Sequence, residues 1–179
     1  MNKSHKAQAS MLQGALFPQI LRFCLPLIAA NLLQVAFNMA DTVVVGLSGG
    51  VDSAVCAMLL RKQGFEVHGL FLDQGLSARA DAERTAAAMG VPLHIADIRS
   101  ELERAVCAPF AAAYLSGETP NPCILCNPAV KFKALLDCAD ALGAHYVATG
   151  HYAVTEERDG VTLLRRSPSR NDQSYMLCR

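Results

Sequence analysis

The chain has 179 residues, 52% of them apolar and 18% charged, and its 16 basic and 16 acidic side chains cancel to a formal net charge of zero. That is room for one ordinary domain with a short appendage and apolar surface enough for a core, but too little bulk positive charge to grip nucleic acid by electrostatics alone. Seven cysteines, an odd number with no small-residue processing site ahead of them, argue against a secreted disulfide scaffold and for reduced thiols in the cytoplasm.

The pattern changes near residue 45. Residues 20–37, ILRFCLPLIAANLLQVAF, are apolar almost all round and carry no charge from Phe23 to Phe37. Pro26, Asn31 and Gln34 interrupt the run, which makes it a borderline length for a membrane-spanning helix. The segment from Phe17 to Gly46 resembles the first helix of multidrug and toxic compound extrusion transporters. The many further helices of such a transporter do not follow. The expectation is therefore a non-functional N-terminal apolar helix over residues 1–45, a fusion remnant whose residues 17–40 are the only candidate for membrane contact, ahead of a second unit over 46–179.

From residue 41 onward, strand-like and helical stretches alternate. DTVVVGL (41–47) is a continuous apolar run suited to a strand buried on both faces. Apolar positions at Val51, Val55, Met58 and Leu59 predict a helix ended by Gly64. EVHGLFL (66–72) is a second strand, 78–89 an Ala-rich helix stopped by Gly90, and VPLHIADI (91–98) a third strand. Residues 100–117 form a further helix with Ser100 and Glu103 spaced as a capping box. The three prolines of ETPNPCILCNP predict a loop, followed by a helix that starts near Val130 and closes at Gly143. HYVATG (145–150) is a fourth strand, and 153–164 a hairpin turning at Asp159-Gly160. This alternation predicts an α/β fold, a parallel sheet with helices on both faces, whose ligand site lies beyond the carboxyl ends of the strands.

Gly46-Leu47-Ser48-Gly49-Gly50-Val51-Asp52-Ser53 falls between the first strand and the first helix. Gly49 and Gly50 allow a tight turn and close approach of a ligand, Ser48 and Ser53 offer hydroxyls, and the helix aims its free N–H groups at whatever fills the loop. Together these make a pyrophosphate cradle. It is neither a GxxxxGK[ST] loop nor a G-x-G-x-x-G fingerprint. Asp52 has two readings, a Mg²⁺ contact bridged by phosphate or a charge that favours the helix start. SGGVDS after a strand resembles the signature of the ATP pyrophosphatase (PP-loop) superfamily, which has a HUP-like fold. Its members cleave ATP between the α and β phosphates, so the resemblance implies ATP with Mg²⁺.

Cys123-Ile124-Leu125-Cys126 supplies a thiol pair ahead of a helix, with Lys131 and Lys133 nearby. A helix N-terminus and cations lower a thiol's pKa and favour the nucleophilic thiolate. No second C-x-x-C exists to complete a zinc site, so no bound metal is expected there. TPNPCILCNPAVKFKALLDCADALGAHYVATGHYA (119–153), downstream of GLSGGVDSAV and followed by SRNDQSYML (169–177), resembles the tRNA-specific 2-thiouridylase family. By position, the resemblance implies that Gly46, Leu47, Ser48, Gly49, Gly50, Val51, Asp52, Ser53, Leu72 and Gly150 bind ATP. Asn121, Pro122 and Cys123 approach the target uridine, Cys126 is the catalytic nucleophile, and Asn171, Asp172 and Gln173 touch the tRNA. His151 has two readings, a supporting donor beside Gly150 or a structural histidine.

The implied reaction adenylates O2 of the wobble uridine and then replaces it with sulfur carried as a cysteine persulfide, delivered by a sulfur-relay protein. Many members of the family have Asp where Cys123 stands. The C-x-x-C form also suits a redox pair or an iron–sulfur cluster at Cys123 and Cys126, though a third thiolate is not evident. The family's second catalytic cysteine lies well beyond DQSY, so the expectation is a C-terminally truncated domain that binds nucleotide but completes little sulfur transfer. Residues 46–179 hold 13 basic and 15 acidic side chains, which implies weak intrinsic affinity for tRNA. The alternatives are another PP-loop ligase, which leaves PNPCILC unexplained, and an inactive membrane-tethered module.

Overall fold

The computed structural model describes residues 41–76 and 78–177. Four parallel strands, β1 (Thr42–Gly46), β2 (Glu66–Asp73), β3 (Leu93–Asp97) and β4 (Tyr146–Ala148), form one sheet in the order β3-β2-β1-β4. β1 is central, which is why TVVVG is apolar throughout: Val43, Val44 and Val45 are 1%, 0% and 0% exposed. Burying each valine contributes about 2 kcal/mol before the entropy of ordering is charged against it.

Helices cover both faces. On one, Val43, Val45 and Val67 pack against Ala57 of helix α1 (Val51–Lys62) and against Val91. Helix α2 (Arg79–Met89) follows β2, buries Ala82 and Ala86, and ends on left-handed Gly90. On the other face, Val44 and Leu70 meet Leu135 and Ala139 of helix α6 (Lys133–Leu142), which ends on left-handed Gly143. The expected doubly covered parallel sheet is what forms. β5 (Val154–Arg158) and β6 (Val161–Arg165) make a separate antiparallel hairpin turned at Asp159-Gly160, both with positive φ.

Two helical stretches differ from expectation. The 100–117 helix begins as α3 (Arg99–Leu102), widens into a π segment over Glu103–Cys107, and resumes as α4 (Ala108–Leu115). Its start is not a Ser100–Glu103 capping box. Asp97, leaving β3, accepts from the Arg99 amide at 3.1 Å and pairs with the Arg99 side chain, while Ser100 donates to Glu101. Those bonds hold the Asp97 carboxyl down at about 2. The second difference is larger. PCILC is itself helical, as α5 (Pro122–Cys126), and runs through a π segment over Asn127–Phe132 into α6. Pro122 stands in the first turn, where its missing N–H costs nothing, and the Asn121 side chain accepts from the Cys123 amide at 3.1 Å. Pro128 would break a regular helix; the wider π turn absorbs it.

Among the described residues no helix is long and apolar enough to cross a membrane. The apolar helix expected within 1–45, its transporter resemblance and its membrane contact fall on residues 1–40 almost entirely, outside the described residues.

Candidate active site

β1 delivers its chain directly into the glycine turn at its carboxyl end. Three contacts close that turn. The Ser48 amide donates to Ser53 Oγ at 3.2 Å, Ser53 Oγ donates to the Gly50 carbonyl at 3.0 Å, and the Gly50 amide donates to Ser48 Oγ at 3.3 Å. Gly49 adopts φ +84°, and a Cβ there would stand 2.8 Å from the Ala82 nitrogen of α2. Gly50 is the N-cap of α1 and supplies no side-chain cap, so the first-turn amides are left to bind an anion. Gly150, leaving β4, lies so close to α1 that a Cβ would sit 2.8 Å from the Ser53 nitrogen and 2.9 Å from the Asp52 carbonyl carbon.

A cleft of about 350 Å³ opens over these strand ends. Gly46, Leu47, Ser48, Asp52, Ser53, Leu72 and Gly150 line it, so most of the expected nucleotide residues come together, while Gly49, Gly50 and Val51 shape the turn beside it. Sequence reading missed Lys131 as a cleft cation, Phe132 and Thr149, all of which also line it, and Gln173, expected at the tRNA, lines it too. Lys131 was legible as a charge, but only the π turn aims it here. His151 lines the cleft with Nδ1 at 2.8 Å from Thr149 Oγ1; burial, then Lys131, push its pKa down.

Cys126 does not line the cleft. It is 8% exposed and packs with Ile98, Val106 and Val130, a cluster that also takes in Leu72 and Ala96 near the carboxyl ends of β2 and β3. Leu72 therefore touches both the cleft and the thiol's surroundings, which places Cys126 on the same edge of the sheet as the phosphate turn. The expected lowering of its pKa is not found. Burial raises it, outweighing the opposing pull of Lys131, and Cys123 and Cys107 raise it further; Lys133 is engaged with Asp137. Cys126 ends the first helical turn instead of heading it, so it lacks the amide dipoles that a thiol at the N-terminus would feel.

Cys56 and Cys138 are raised by burial as well. With folded values above the ordinary 9.0, the three thiols contribute stability that is present below that pH and lost as pH climbs through the folded values. A titration followed by thiolate absorbance is expected to show these thiols ionising at higher pH in the folded chain than in urea.

The residues expected to touch tRNA divide. Asn121 and Asn171 are exposed, and Pro122 and Cys123 are half-buried at the start of α5. Asp172 is spent internally: it accepts from the Ser167 amide at 2.8 Å and from Ser174 Oγ at 2.7 Å, bonds that hold its pKa down. Gln173 accepts from the Tyr152 amide at 2.9 Å and donates its own amide to the Tyr152 carbonyl at 3.0 Å. Among the described residues no group of three or more His, Cys, Asp or Glu is arranged to hold a metal ion, so the iron–sulfur alternative at Cys123 and Cys126 gains no third ligand.

A family model described as tRNA methyl transferase HUP domain matches residues 41–179. The tRNA-specific 2-thiouridylase MnmA 2 of Clostridium botulinum (strain Okra / Type B1) is 42% identical over 155 residues, 78% of this chain and 44% of that protein. MnmA of Syntrophotalea carbinolica is 46% identical over 146 residues, 75% of this chain and 42% of that protein. This chain thus spans less than half the length of these relatives. The solved NMN synthetase of Francisella tularensis matches at TM-score 0.43 and 25% identity, over 60% of this chain and 44% of that one. With a buried parallel sheet feeding a glycine turn, and a match running from the first strand to the last residue, the chain belongs to the tRNA methyl transferase HUP domain family.

Proposed function

We propose that this chain is the nucleotide-binding and adenylating part of a cytoplasmic tRNA-uridine 2-sulfurtransferase, with residues 46–179 as the catalytic domain. The observation that carries the reading is the shared position of Leu72, which joins the anion-binding cleft to the cluster holding Cys126.

In this reading, first-turn amides of α1 with Ser48 and Ser53 hold the β and γ phosphates of ATP. The uridine O2 attacks the α phosphorus, the α–β bridge breaks, and pyrophosphate leaves with the bonding electrons. O2 now carries AMP and is a good leaving group. The terminal sulfur of a persulfide on Cys126, supplied by a sulfur-relay protein, then attacks C2 and expels AMP. A second thiol must then attack the Cys126 sulfur, forming a disulfide with it as the S–S bond to the base breaks and 2-thiouridine leaves with those electrons. The Asp52 carboxylate is a hard oxygen donor at the phosphate turn and suits Mg²⁺, which neutralises phosphate charge when bound. The exposed Asn121 and Asn171, with the half-buried Pro122 and Cys123, form the approach for the target base and its tRNA, and enzymes that act on a base draw it out of its stack.

The test is direct binding of ATP·Mg²⁺ to the 179-residue chain, with pyrophosphate exchange measured in the presence of unmodified tRNA. Binding in the micromolar range is expected, weakened at least about tenfold by Ser53→Ala through loss of two turn-closing contacts. A chain that binds no ATP at millimolar concentration overturns the reading.

A further inference from the structure

One short stretch of chain joins the cleft to the cluster around Cys126. Within the π segment over Asn127–Phe132, Val130 is buried beside Cys126, while Phe132 lines the cleft. Lys131 stands between them in sequence and lines the cleft itself. Its charge is felt on both sides. It pulls the pKa of Cys126 down against the larger effect of burial, and it pulls that of His151 down as well. His151 meets Phe132 edge to face, with ring centroids 6.5 Å apart, and follows Gly150, the glycine pressed against the first turn of α1. Lys131 thus lies within electrostatic reach of the thiol and of the wall that abuts the phosphate turn.

Its surroundings set this lysine apart from the other cations. Among the described residues that line the cleft it is the only lysine or arginine. Among the described residues no carboxylate forms an ion pair with it, although Lys133, two positions on, is paired with Asp137. It is also half-buried. A cation drawn partly out of water with no counter-charge is stabilised by an anion set against it, and phosphate oxygens accept strongly from an ammonium.

Which phosphate it meets follows from the chemistry. The first-turn amides of α1, with Ser48 and Ser53, take the β and γ phosphates. The α phosphate is the group that must reach from that turn toward the sulfur, because it becomes bonded to the base oxygen that the sulfur displaces.

We propose that Lys131 is a catalytic residue of the adenylation step, its ammonium donating to a nonbridging oxygen of the α phosphate. The assignment rests on the nucleotide reading of the cleft. As O2 of the uridine bonds to the α phosphorus, the bridge to the β phosphate breaks and pyrophosphate leaves with the electron pair. Lys131 offsets the negative charge on the α oxygens during that exchange. When sulfur attacks C2, the same ammonium stays on the departing AMP, and it gives up no proton in either step.

The experiment is calorimetric titration of the full 179-residue chain with AMP, adenosine and pyrophosphate. It compares the wild type, Lys131→Met and Lys131→Arg, with melting followed to confirm folding. The wild type is expected to bind AMP about tenfold or more tighter than adenosine, the worth of one charge-assisted hydrogen bond. Lys131→Met brings that preference below about twofold and leaves pyrophosphate affinity within about twofold, whereas Lys131→Arg, which keeps the charge, retains about threefold or more. Alkylation of Cys126 by iodoacetamide at fixed pH is a second readout. Lys131→Met slows it about threefold or more, because the cation that opposes burial is gone. A wild type that does not prefer AMP to adenosine, a Lys131→Met chain that keeps the full preference, or one whose Cys126 rate is unchanged overturns the assignment and leaves the nucleotide reading standing. A loss that falls on pyrophosphate instead puts the lysine at the β or γ phosphate and overturns it too. A chain that binds no ATP·Mg²⁺ overturns the assignment together with the proposed function.

Discussion

Gly49→Ala and Gly150→Ala are expected to abolish ATP binding and to lower the melting temperature by several degrees, whereas Gly50→Ala leaves the fold intact. All three stand in or beside the same turn, and a motif match treats Gly49 and Gly50 alike. The backbone separates them. Gly49 has φ +84° and no room, since a Cβ would lie 2.8 Å from one backbone nitrogen and 2.9 Å from a neighbouring carbonyl carbon in α2. Gly150 has an ordinary φ but would push a Cβ into the backbone of the first turn of α1, within 3.0 Å of three atoms. Those atoms are main chain and cannot rotate aside, so overpacking of about 1–3 kcal/mol is expected, with the phosphate turn as the element displaced. Gly50 has φ −82° and its nearest neighbour would be Ser48 Oγ at 3.4 Å, an ordinary contact. Calorimetric ATP titrations and thermal melts of the three variants are the check. Near-wild-type binding by Gly150→Ala would mean that the nucleotide does not use the α1 start at all.

How much of this was legible in the residues alone depends on whether the cause was local. Val43 to Val45 are buried because a run of valines leaves no polar face, and the turn after them is fixed by glycines that only tight backbone approach explains. The four parallel strands, the helices on both faces and most of the cleft follow from such local signals, whereas the strand order β3-β2-β1-β4 does not. The start of α5 did not, because prolines were read as helix breakers, although Pro122 stands where a helix tolerates one and Pro128 is absorbed by a π turn. The acidity of Cys126 was misjudged for a different reason. Lysines and a helix start are visible in sequence, but the desolvation that outweighs them comes from Ile98, Val106 and Val130, packed from three separate segments. The Asn127–Met176 bond spans 49 residues and the Tyr152–Asp52 bond 100, so no periodicity or spacing could announce either. Tertiary burial and long-range pairing are the parts of the site that sequence does not print.

That burial sharpens the second large effect. Cys126→Ala is expected to abolish persulfide loading at this position and any residual sulfur transfer while leaving ATP affinity unchanged, because the thiol does not line the cleft. The alanine fits the space between Ile98, Val106 and Val130 with a small cavity, so folding survives; serine would place a hydroxyl among apolar side chains and is the poorer control. The readouts are persulfide on the Cys126 peptide, 2-thiouridine in tRNA, and ATP binding by calorimetry, each for the wild type and for Cys126→Ala. Cys123→Ala discriminates further. Cys123 is half-buried and raises the pKa of Cys126, so its removal should make Cys126 more acidic and its alkylation faster at neutral pH, without costing the nucleophile itself. If Cys123→Ala instead abolishes transfer and Cys126→Ala spares it, the nucleophile is the more accessible sulfur, and burial of Cys126 is simply packing.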